Sequence, residues 1–168
     1  FERFKIRTAW RKDFFDTLKL PERRNTMPTL EEIKATFAAD RFATEVVGVE
    51  IQSAEPGHAV CALKLRPELM NAAGIPQGGA IFTLADFTFA VSANAYSDRI
   101  SVSMQHDITY FAPARGKTLL AESRCVRCGR STCFYVVEIT DDLGGKVAHM
   151  TVNGFVTEKK IEKHENSH

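Results

Sequence analysis

The sequence is poor in the features that usually announce a partner or a compartment. Its 22 Lys and Arg nearly balance 21 Asp and Glu, for a formal net charge of +1. That gives no global reason to expect nucleic acid or a membrane surface as the partner. There are only four cysteines, Cys61, Cys125, Cys128 and Cys133. Cys125 and Cys128 form a CxxC, but a zinc site wants a second ligand pair at matching spacing. Cys133 is the only nearby candidate and no His lies close in sequence, so no metal is expected. The four read as reduced thiols, in keeping with a reducing, cytoplasmic setting. No secretory signal is recognisable. The one apolar run near membrane-spanning length, residues 80–95, contains Thr83, Asp86, Thr88, Ser92 and Asn94. It reads as a buried helix. No internal repeat, low-complexity tract or linker divides the chain, and 168 residues suffice for one domain with a real core.

What is present falls into three parts. Residues 1–26 carry eight basic side chains against four acidic ones, a charge of +4 that leaves −3 for the remainder of the +1 total. Their bases and acids interleave, so residues 1–28 read as a leader or variable arm rather than a basic membrane or nucleic-acid helix, with Met27 as a natural start. From Thr29 the signals sharpen, and residues 29–158 read as the domain. Thr29 and Glu32 form a capping box ahead of a short amphipathic helix over residues 30–42. Residues 44–54 and 58–66 alternate as half-buried strands, joined by a turn at Glu55, Pro56 and Gly57. After a long apolar helix come four more strands, over residues 100–112, 117–126, 131–140 and 146–158. In the first of these, Val102, Met104 and His106 are expected on one face. Residues 159–168 form a charged tail. The order implies an α+β domain, an antiparallel sheet of about five to six strands curled around one helix.

The chemistry concentrates in residues 71–94, NAAGIPQGGAIFTLADFTFAVSAN. On a helical wheel Gly79, Thr83, Asp86, Ala90, Ala93 and Asn94 fall in one sector of roughly 100°. Ile81, Leu84, Phe87 and Val91 take much of the other side. A lone acid in so apolar a helix is costly unless it is paired or functional. The glycines at the helix start leave the first N–H groups open to an oxyanion or a polarised carbonyl. Gly78 and Asp86 are eight residues apart, about 12 Å along the axis, so one chain cannot bring both to one carbonyl. Two chains with antiparallel central helices can, which predicts a homodimer with composite sites.

The string NAAGIPQGGAIFTLADFTFA, followed by QHDITYFAPARGKTLLAE and a later Gly-Arg, resembles the hotdog-fold acyl-CoA thioesterases of the phenylacetate-pathway, PaaI-like group. The resemblance covers residues 30–158. It implies hydrolysis of a small acyl- or aryl-acyl-CoA, with coenzyme A as part of the substrate and no separate cofactor. It implies that Asp86 activates water or attacks the thioester, that the Gly78 N–H holds the carbonyl oxygen, and that Asn71 places the water or thioester. Ser103 matches a helper on the strand after the helix. Gly79, Thr83 and His106 would line the cleft, and Gly129 and Arg130 would lie near the coenzyme A phosphates. Dimers of the family commonly pair into tetramers. Gln77 departs from the pattern that the resemblance implies, since most relatives carry His there; Gln keeps a donor and an acceptor but does not ionise near neutral pH. Two alternatives remain open: a hotdog hydratase or dehydratase, and a non-catalytic acyl-CoA binder. Asn71 also reads as a turn former, and His58, His106 and His149 as structural histidines.

Overall fold

The computed structural model describes residues 27–160. The basic arm expected over residues 1–26 and the tail beyond residue 160 lie outside the described residues. Helix α1 (Leu30–Phe37) opens with the anticipated capping box: the Thr29 side chain accepts from the Glu32 N–H while the Thr29 N–H donates to the Glu32 carboxylate at 2.7 Å. Six strands follow: β1 (Val49–Glu55), β2 (His58–Lys64), then after α2 (Gly78–Asn94) β3 (Arg99–Tyr110), β4 (Thr118–Cys128), β5 (Thr132–Asp141) and β6 (Lys146–Lys160). They form one antiparallel sheet in the order β1-β2-β4-β5-β6-β3. Among the described residues no helix is long and apolar enough to cross a membrane.

The first expected strand is shorter than its sequence pattern. Residues Phe42–Val47 form a π-type helical turn, not strand. Asp40 caps the turn by accepting from the Ala43 N–H, and Gly48 ends it at φ 87°. That left-handed conformation suits only glycine without strain. Val46, apolar by pattern, is consequently exposed.

The sheet wraps α2 as anticipated, giving the hotdog arrangement. Ten of the 17 residues of α2 are buried, including Leu84, Phe87, Phe89 and Val91. Each such side chain contributes about 1.5–3 kcal/mol of hydrophobic stabilisation. The ring of Phe89 meets Tyr135 of β5 edge-on at 5.1 Å, and Phe87 meets Phe37 of α1 at 5.9 Å. Polar atoms inside this core have partners: Thr88 donates to the Leu84 carbonyl, and Ser92 hydrogen-bonds Ser123 of β4 at 2.8 Å. The open stripe of α2 is narrower than the wheel implied, because Ala93 is buried.

Candidate active site

The loop before α2 is held by Asn71. Its Oδ1 accepts from the N–H groups of Ala73 (2.9 Å) and Ile75 (3.3 Å), and its N–H donates to the Ile75 carbonyl. With both acceptor positions of that oxygen engaged, only the amide nitrogen can reach a ligand. Gln77 is the N-cap of α2, its Oε1 accepting from the Ala80 N–H at 3.1 Å. The cap depends on the next glycines: a Cβ at Gly79 would lie 2.7 Å from the Gln77 Oε1. The N–H groups of Gly78 and Gly79 sit in the first turn, where no intrahelical acceptor exists, at the positive end of the dipole. The Tyr110 hydroxyl, at the end of β3, donates to the Gly78 carbonyl at 2.9 Å and packs over this corner. Sequence reasoning did not single out Tyr110, because 32 residues of chain separate it from Gly78 and no local pattern links the two.

The lone acid of α2 has a partner. His106 of β3 places Nε2 2.8 Å from Asp86 Oδ1. An ionised carboxylate only accepts, so Nε2 carries the proton. Phe82 meets the imidazole edge-on at 4.9 Å and Phe89 at 6.4 Å. The His106 side chain is 15% exposed and that of Asp86 42%, so the carboxylate, not the imidazole, is presented to the cleft. Chain geometry brings this about through one irregularity. The β3–β6 register shifts between Ser103 and Gln105. With strict alternation from Ser101 and Ser103, Gln105 would turn towards α2. The shift makes it His106 instead, and leaves Val102 and Met104 exposed on the other side. The expected shared face of Val102, Met104 and His106 is therefore not formed.

A cleft of about 570 Å³ runs along α2, lined by Gln77, Gly79, Phe82, Thr83, Asp86 and Phe87 together with Phe42 and Leu69. This lies within the range of small-molecule sites. Thr83 donates to the Gly79 carbonyl at 2.9 Å. Ser103 is half-buried opposite Gly154 and does not line the cleft. Gly129 and Arg130 are not in it either. They line a second cavity of about 290 Å³ beside Ser92, Ala93 and Tyr96, near the other end of α2. Within one chain the helix start and the Gly129–Arg130 turn are thus well apart. His58 and His149 pair with Glu122 (2.9 Å) and Glu138 (2.7 Å), outside both cavities. Among the described residues no group of three His, Cys, Asp or Glu could hold a metal ion.

A sequence profile of the Thioesterase superfamily matches residues 74–148, from the α2 entry loop into β6. Acyl-coenzyme A thioesterase 13 of Homo sapiens is 30% identical over 125 residues, 73% of this chain and 89% of that protein. The chain belongs to the thioesterase superfamily. Within it the chain is a PaaI-like hotdog protein, and its enzyme class is thioester hydrolase. A hypothetical thioesterase of Streptococcus pneumoniae, solved with coenzyme A, superposes with TM-score 0.67 at 29% identity, over 76% of this chain and 98% of that one. The Escherichia coli PaaI structure superposes with TM-score 0.70 over 80% and 100%; its 23% identity speaks for the shared fold.

Proposed function

We propose that this thioesterase-superfamily protein hydrolyses small acyl- or aryl-acyl-CoA thioesters, with Asp86 as the acting carboxylate and active sites shared across a homodimer. The observation that carries this is the Asp86 carboxylate, partly exposed in the cleft and held through Oδ1 at 2.8 Å by His106. Asp86 takes a proton from water, the water oxygen adds to the thioester carbon, and the carbonyl oxygen collects charge against the first-turn N–H of Gly78. The C–S bond then breaks and coenzyme A leaves as a thiol. Alternatively the free Asp86 oxygen attacks the carbon itself; single turnover in heavy-oxygen water labels Asp86 only on that route. No cofactor beyond the substrate is required. Asn71, Gln77, Gly79 and Thr83 shape the entry to the site, whereas Ser103, outside this chain's cleft, has no part in the step.

Sharing follows from distance. Gly78 and Asp86 are about 12 Å apart along α2, and Gly129 and Arg130 lie beyond the helix's far end. Strand β3 is an edge strand of 12 residues, and Val102, Met104 and, beside it on β6, Phe155 are exposed there. Pairing two copies edge to edge, about a two-fold axis perpendicular to β3, makes the two β3 strands antiparallel. That turns the helix start of one copy towards Asp86 of the other, and supports the arginine turn reaching the neighbouring substrate's phosphates. A dimer of dimers is compatible with it.

Thiol release from a panel of acyl-CoAs tests the proposal. Wild type releases coenzyme A; Asp86→Asn loses on the order of 10²-fold or more in kcat. Release undiminished in Asp86→Asn would overturn it, and tight acyl-CoA binding without release would identify a binding protein. The His106–Asp86 pair also favours a second reading, a hydratase, since such enzymes pair His with a carboxylate. The imidazole here is boxed by two Phe rings with Nε2 committed to Asp86, which favours hydrolysis. Loss of enoyl-CoA absorbance without thiol release would reverse that order.

A further inference from the structure

Three thiols outside the cleft converge near the β4–β5 turn. Cys125 and Cys128 are three residues apart, which in a regular strand puts them on opposite faces. A bulge between Cys125 and Arg127 adds one residue and returns Cys128 to the face of Cys125. Cys128 is directly opposite Cys133 of β5. In the adjacent pair Gly129 donates to the Thr132 carbonyl at 2.8 Å, so Cys128 and Cys133 form a non-hydrogen-bonded pair. Such pairs hold their Cα atoms about 4.5 Å apart, within the roughly 4.4–6.8 Å that a disulfide spans. All three thiols are free; Cys128 is exposed, whereas Cys125 and Cys133 are buried.

Their chemical states differ. The Cys125 thiol hydrogen-bonds the Cys128 sulfur and, with the Arg99 guanidinium near by, brings Cys128 down to about 7 against the cost of burial. The same hydrogen bond, then burial, pushes Cys125 up, so it keeps its proton and acts as donor. Burial pushes Cys133 up to about 11. Cys125 and Cys128 open onto the 290 Å³ cavity, whose only charged lining side chains among the described residues are Arg99 and Arg130. Arg99 is braced there by donating to the Arg130 carbonyl at 3.1 Å. An accessible, readily ionised thiol near one arginine, on a cavity that a second arginine also lines and with a second thiol opposite, is an arrangement that exchanges with an anionic disulfide.

We propose that Cys128 is a thiol–disulfide exchange site for small anionic disulfides, with Cys133 as the resolving thiol. The Cys128 thiolate attacks one sulfur of the disulfide R–S–S–R, forming a mixed disulfide and expelling R–S⁻, which takes a proton from water. Cys133, once deprotonated, attacks the Cys128 sulfur and expels the second R–S⁻. Two electrons pass from the cysteine pair to the small disulfide, which leaves as two thiols, and the product is a cross-strand Cys128–Cys133 bond. The site is independent of Asp86.

The test exposes the fully reduced native protein to glutathione disulfide, which is anionic, or to cystamine, which is cationic, and follows intact mass and mapped peptides. Wild type should end lighter by two hydrogen atoms with Cys128 linked to Cys133. Cys133→Ser should stop one glutathionyl group heavier, at Cys128. Cys128→Ser should not react, and Asp86→Asn should react as wild type. Glutathione disulfide should outpace cystamine on the order of 10-fold, the gap closing at high salt. Wild-type rates in Cys128→Ser, a Cys125–Cys128 link, or equal rates for the two disulfides at low salt would each overturn the proposal.

Discussion

Asp86 and Gln77 together show how one residue's absence is met by another's arrival. The PaaI-like pattern that the sequence resembles mostly has His just before the glycines, and here that place holds Gln77, whose Oε1 is occupied in capping the Ala80 N–H. The imidazole of this site comes from β3, where His106 grips Asp86 Oδ1 at 2.8 Å. It fixes which carboxylate oxygen faces the cleft and keeps the group from swinging about its side-chain torsions. If that positioning matters, His106→Gln should lower kcat on the order of 10²-fold, the cost of a misplaced acting group, with KM nearly unchanged. Steady-state kinetics on the best substrate of the panel would check it; an unaltered kcat would make the pair merely structural. His106→Asn, shorter and unable to reach Asp86 in the same rotamer, should be no better than Gln.

At the scale of elements, helices and strands were legible and their irregularities were not. Gly78–Asn94 follows from two glycines ahead of an apolar run, and each of the six strands from its alternation and its turn residues. Periodicity assumes one residue per step, however, and the shifts at Ser103/Gln105 and Cys125/Arg127 break that assumption. Those two shifts put His106 on Asp86 and Cys128 on the face of Cys125, so the most informative contacts were the least readable. The turn at Phe42–Val47 was hidden likewise, because a pair of valines reads as strand whatever Gly48 does to the backbone. The lone acid of α2 was legible as a demand for a partner, but not the partner's identity. The β5–β6 turn offers a test of a different element. Asp141 accepts from the N–H groups of Arg115, Gly116, Leu143 and Gly145, tying the entrance of β4 to the exit of β5. The hydrogen bonds from Arg115 and Gly145, foremost, lower its pKa. A depressed folded-state value stabilises the fold above the unfolded carboxylate value of about 4 and ceases to do so as pH falls through the folded value. Asp141→Asn should therefore melt below wild type at pH 7, and the gap should shrink below about pH 4. Equal gaps at pH 7 and pH 3 in thermal melts would contradict this account.

On the scale of the whole molecule, the sheet order leaves β3 as the edge strand nearest the functional helix stripe. Long edge strands with exposed apolar side chains are ordinarily blunted by charge or covered, because they invite pairing. Here Met104 is 59% exposed and Val102 44%, which fits an edge that is covered by a second copy. The same edge carries His106, so in the proposed shared site association and site assembly would depend on one strand. A charge placed on the edge should separate the two without touching the core. Met104→Lys is expected to fold with wild-type circular dichroism, to sediment as a monomer, and to lose thiol release in step with dissociation, since Asp86 would then lack the helix start of a neighbouring copy. Raising the protein concentration should restore part of the activity by mass action. A Met104→Lys monomer with wild-type kcat would mean that Gly78 and Asp86 of one chain serve one substrate despite the 12 Å or so between them, and the shared-site geometry would have to be abandoned.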